Sequence, residues 1–117
     1  MTVALGDNGR QLGLSSAAGA DGVAVSFLGA GRGSPRLLEA IASTVRLGVP
    51  VVLTCRPRLG RLLRRTRGFQ SSEQSMRATG AISAGTLPPA AAHVLVFAGI
   101  GSRLDRDSLA ETFARFD

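Results

Sequence analysis

The sequence predicts an α/β domain of three layers, with a parallel sheet of about four strands between helices. Two apolar runs, Gly22–Leu28 and Val49–Thr54, are nearly continuous and so suit strands buried on both faces. An amphipathic stretch with helix start and stop signals lies between them. Strand, helix and strand together take about 33 residues, the length of a right-handed βαβ unit. At 117 residues the chain is a single domain, residues 1–117, long enough to bury a core.

Each element has a local reason. Val3–Leu5 is a short apolar start that reads as a first strand. "GDNGRQ" is a turn, and Asp7 and Asn8 can cap the short helix expected over Gln11–Ala18. After the first apolar run, Ser34 is an N-cap and Pro35 opens a helix at its first position. Leu37, Leu38, Ile41, Ala42 and Val45 form its apolar stripe, and Gly48 ends it. Ser71–Ala78 reads as a helical turn and Ala81–Gly85 as a short strand or turn. Pro88 and Pro89 start a helix to about Ile100 that is apolar on nearly every face and is therefore expected to be buried. Asp105 or Asp107 caps a last helix with Leu109, Phe113 and Phe116 inward. The winding expected is Rossmann-like or flavodoxin-like.

Composition narrows the function classes. The net charge is +6, carried by arginine alone, since lysine is absent. Six arginines fall in "RPRLGRLLRRTRG", Arg56–Gly68, and no acid lies between Ala40 and Ser72. Such a patch can meet phosphates, and a small arginine-rich nucleic-acid-binding domain is the alternative reading. The chain has no Trp or Tyr, and no Phe between Phe27 and Phe69, so stacking platforms are scarce and specific nucleic-acid binding is disfavoured. Arg58–Ser72, dense in like charge, is expected to be the least ordered internal stretch. No apolar run reaches the length that spans a bilayer, and no signal peptide is apparent. The single cysteine, Cys55, makes no internal disulfide, which is compatible with a cytoplasmic location. No Cys/His cluster suggests a metal, and no cofactor is expected.

The loop "GAGRGS" places Gly29, Gly31 and Gly33 at the carboxyl end of a strand and the start of a helix. A dinucleotide fingerprint needs glycines at positions 1, 3 and 6, and the sixth here is Ser34. A phosphate loop of the Walker type needs a lysine. What remains is position, since ligands of α/β sheets bind at such an edge, and the loop suits weak anion binding.

"DGVAVSFLGAGRGSPRLLEAI", "GVPVVLTCR" and "ATGAISAGTLPPAAAHVLVFAG" resemble, in order and spacing, the C-terminal domain of bacterial-type L-asparaginases and glutaminases. That family has a glycine loop ending G-x-G-N, then G-x-P-V-V-x-(T/S)-S-R, then G-x-x-x-(A/S)-x-x-L-x-P-x-K-A-R before an apolar helix. The resemblance covers about Val3 to Phe116. It implies an amidohydrolase whose nucleophilic threonine sits on an N-terminal domain missing from this chain. In that family the C-terminal domain completes the active site of a neighbouring subunit. The chain alone is then expected to be inactive, to form a homodimer or higher oligomer, and to have an asparaginase-like N-terminal domain as its possible partner.

By the same resemblance, Glu73 occupies the position of a glutamate that holds the substrate's amino group. Arg32 stands where the family has asparagine. A guanidinium has donors and no acceptor, so Arg32 departs from the pattern, and the two side chains are expected within salt-bridge distance of each other. Cys55 replaces the family's serine before Arg56 and reads as a buried thiol. His93 matches the family's arginine and reads as structural.

Overall fold

The computed structural model describes residues 1–4, 6–27, 33–57 and 73–117. The elements are α1 (Arg10–Ala17), β1 (Val23–Phe27), α2 (Pro35–Arg46), β2 (Val51–Cys55), α3 (Glu73–Ala78), β3 (Ile82–Ser83), α4 (Pro89–Gly101) and α5 (Arg106–Ala114). The three strands are parallel and lie in chain order, with Val23 beside Val51 and Val52 beside Ile82.

The sheet has three strands among the described residues, where about four were expected. Just before Val3–Leu5, the segment read as a first strand, a single parallel bridge joins Thr2 to Ser26. Val3 N–H donates to the Ser26 carbonyl and Ser26 N–H to the Met1 carbonyl, both at 2.8 Å. The chain then leaves the sheet at once. Asp7 N–H donates to the Ala4 carbonyl, and the Asp7 and Asn8 side chains accept from the N–H of Gly9 and Arg10. A turn begun two residues past the bridge leaves nothing to extend a ladder.

Winding in chain order has a consequence. Right-handed crossovers that all step in one direction put their helices on one face. Leu12 of α1, Leu37 and Ile41 of α2 and Met76 of α3 accordingly share one core cluster with Val23, Val25, Phe27, Val51, Leu53 and Cys55. The opposite face of the sheet carries Val52 and Ile82. The two helices after the last strand cover it, through Ala92 and Val96 of α4 and Leu109 and Phe113 of α5. The three layers are thus complete, and all ten residues of β1 and β2 are buried.

The signals of α2 act as read, whereas α1 has Gly9 as its N-cap with no side-chain cap, Asp7 and Asn8 closing the turn before it. Ser34 Oγ accepts from Leu37 N–H at 3.1 Å and donates to the Asp7 carbonyl at 2.5 Å, which ties the start of α2 to the turn before α1. At the other end Gly48 N–H donates to the Val45 carbonyl and Val49 N–H to that of Thr44, the paired closure of a Schellman motif. Gly48 has φ 84°, in the left-handed region.

Two inward assignments change. Helix α4 is not buried all round: Ala92, Val96 and Gly99 face the sheet, while Val94 is 64% and Phe97 76% exposed. Only one side of a helix can meet the sheet, and no other described element covers the far side. Phe116 is 38% exposed because α5 stops at Ala114, and the Phe116 backbone carbonyl instead accepts from the N–H and hydroxyl of Thr86.

Two glycines separate backbone strain from crowding. Gly9 has φ 77°, and a Cβ there would lie 2.6 Å from Ala40 Cβ and 3.0 Å from the Arg36 carbonyl oxygen. A Cβ at Gly48 would meet nothing within 4 Å. Gly48→Ala is expected to cost about 1 kcal/mol, from the left-handed backbone alone. Gly9→Ala adds a clash between α1 and α2 and is expected to cost about 2–3 kcal/mol. Urea unfolding midpoints of the two variants check the order.

Asp105 caps α5, accepting from Ser108 N–H at 2.8 Å. That backbone hydrogen bond holds its carboxyl below the ordinary value of 3.8. A depressed carboxylate contributes stability above its unfolded pKa and loses it as pH falls through the folded one. Asp105→Ala is therefore expected to lower the unfolding midpoint at pH 7, with the difference from wild type narrowing below about pH 4.

Candidate functional site

Of the residues that the sequence singles out, Gly33 and Cys55 lie at the carboxyl edge of the sheet. β1 ends at Phe27 and α2 starts at Pro35, so Gly33 and Ser34 sit between strand end and helix start. A Cβ on Gly33 would lie 2.7 Å from Met76 Cε and 2.8 Å from Leu37 Cδ2. Helix α3 therefore packs directly over the end of the glycine loop, and glycine permits that approach. Glu73 is the first residue of the same helix, one turn before Met76. The loop end and α3 are thus in contact through Met76, which the sequence does not single out.

Of the expected site residues, Gly33 is described and closes the loop. Gly29, Gly31 and Arg32 lie outside the described residues, as does the Glu73 side chain, so the Arg32–Glu73 pair does too. So does Arg58–Ser72, which carries most of the arginine-rich patch and the expectation of low order.

Arg56 organises this edge. Its N–H donates to the Phe27 carbonyl at 2.8 Å, continuing the β1–β2 ladder one step. Its guanidinium Nη2 donates to the Val3 carbonyl. One residue thereby joins β2, β1 and the segment beside β1. Its Nε is buried with no hydrogen-bond partner. The sequence shows Arg56 as one of six arginines and as the arginine after Cys55 in the family's strand motif, with no anchoring role read for it. Its place at the end of an apolar strand distinguishes it from the others.

Cys55 ends β2 at 4% exposure, and burial pushes its thiol pKa up. That is the opposite of an activated cysteine. His93 lies exposed on α4, away from the carboxyl edge, beside a groove of about 350 Å³. Among the described residues no three His, Cys, Asp or Glu side chains are placed to hold a metal ion. No described helix is long and apolar enough to cross a membrane.

A one-way parallel sheet with helices on both faces, and Gly33 packed against Met76 of a short helix at its carboxyl edge, defines a three-layer α/β domain. The family model of the glutaminase/asparaginase C-terminal domain matches residues 1–113, and the chain belongs to that family. Among solved structures, L-asparaginase I from Vibrio cholerae O1 biovar eltor matches with a TM-score of 0.79 and 17% sequence identity. The match covers 97% of this chain and 34% of that one, so the chain spans about a third of the length of the asparaginase it matches. No curated protein matches the chain at a significant level.

The buried thiol gives a direct check on this edge. Cys55 is expected to react with a thiol reagent at pH 8 at least about a hundredfold more slowly in the native protein than in denaturant. Arg56→Ala is expected to release residues 1–3, read as faster amide exchange at Val3 and Ser26 with β2 still protected.

Proposed function

We propose that this chain is the part of an asparaginase-like amidohydrolase that completes an active site carried mainly by another domain, and that it hydrolyses no amide by itself. The family match over residues 1–113, set against one third of a whole asparaginase, carries the reading. Glu73 at the head of α3 would supply a carboxylate for a substrate ammonium, and Arg32, next to Gly33, would supply a guanidinium to the same edge. The packing of Met76 on Gly33 supports their nearness. Arg32 would compete with the substrate's ammonium for Glu73 and favour an anionic group at the loop.

Five of the described threonines support inactivity of the chain alone. A threonine nucleophile needs a base within reach of its hydroxyl. Thr44, Thr54, Thr79, Thr86 and Thr112 each donate the hydroxyl to a backbone carbonyl: those of Ala40, Leu87, Met76, Phe116 and Ser108. A carbonyl accepts the hydrogen bond but does not take the proton. The partner domain is then an asparaginase-like N-terminal domain, and the chain also associates with its own kind. We place it in the cytoplasm, where a lone buried thiol at Cys55 persists.

The purified chain, given asparagine or glutamine, is expected to release ammonia no faster than buffer. Release well above buffer, abolished by a point change within this chain, would overturn the reading.

A further inference from the structure

We propose that the outer side of α4 is a symmetric interface on which a second copy of this chain packs, its α4 antiparallel to the first. The helix holds no charged residue from Pro89 to Gly101, and His93 is its one polar side chain. Its inner stripe, Ala92, Val96 and Gly99, is buried. Its outer stripe, Ala90, Val94, Phe97 and Gly101, is exposed, at spacings of 4, 3 and 4. This is the seam spacing of paired helices. A chain with fourteen arginines keeps all of them out of these 13 residues.

The face is self-complementary in shape and charge. Phe97, 76% exposed, stands beside the groove floored by Ala24, Val96 and Ile100, so knob and hole share one surface. A two-fold axis turns such a surface into a closed pair, each copy's knob entering the other's hole. Asp21 and His93 also line the groove, and neither has a side-chain hydrogen bond or ion pair among the described residues. Gly22, next to Asp21, abuts Ile100 at the end of α4. With the axis between Val94 and Phe97, antiparallel pairing sets His93 opposite the far end of the partner helix, where the partner's Asp21 sits. The same holds in reverse, so two acid–base pairs flank an apolar seam.

This pairing rests on the self-association reading and needs nothing from amide hydrolysis, which the ammonia assay reads separately. A seam of three helical turns is smaller than a standard interface of about 800 Å² per partner, so the dimer is expected to dissociate in the micromolar range. Sedimentation equilibrium of the full chain from about 1 μM to 1 mM reads this directly. Phe97→Asp is expected to weaken the dimer about thirtyfold or more. Leu47→Asp, 74% exposed at the end of α2 on the other side of the sheet, is expected to leave it unchanged. His93→Asp and Asp21→Arg are each expected to be monomeric alone and to form a heterodimer when mixed, which a contact within one chain would not produce. A wild-type monomer throughout, a dimer indifferent to Phe97→Asp, or no rescue on mixing would overturn the interface. So would a monomer that uses Phe97 to bind an asparaginase N-terminal domain instead.

Discussion

The structure depends on one requirement, that the β1–β2 pair be covered on both faces. Val23, Val25 and Phe27 point to one side and Ala24 and Ser26 to the other, with Val51, Leu53 and Cys55 opposed to Val52 and Thr54. Parallel strands give no wet face to spare. Chain-order winding supplies helices to one face only, so the second must be closed by elements after the last strand. Helices α4 and α5 meet that need. Thr54 shows the join, its hydroxyl reaching across to the Leu87 carbonyl just before α4 begins, at 2.9 Å.

The same requirement shapes two surfaces. Because Arg56 directly follows β2, it holds the ends of β1, β2 and the Thr2 segment with one backbone N–H and one side chain. That edge is a fixed platform on which the Gly33 end of the loop and α3 lie in contact. The second surface comes from α4. A helix that must bury its inner side against Val52 and Ile82 and is apolar outside as well is half of a layer, and its outer side gains from being covered in turn.

Much of this was legible in the sequence where a signal was local. Ser34 with Pro35 and Gly48 fixed both ends of α2 because capping chemistry is short-range. The buried strands were legible because an unbroken apolar run has few other uses. The first strand was not: the turn at Asp7 and Asn8 was legible, but not that it begins at Ala4 and cuts the strand short. Nor was the exposure of Val94 and Phe97: a helix apolar all round has no stripe to say which side meets the sheet. At the site, Gly33 lies against α3. The contact that joins them runs through Met76, whose side chain has no chemistry to mark it in a sequence.

On the interface proposed for the outer side of α4, its burial between two copies would finish this layered fold and couple folding to association by mass action. The direct measurement is the thermal unfolding midpoint of the wild-type chain over about a hundredfold range of concentration. The midpoint should rise steadily with concentration, through one cooperative transition. A midpoint that stays constant across the whole range would contradict the coupling.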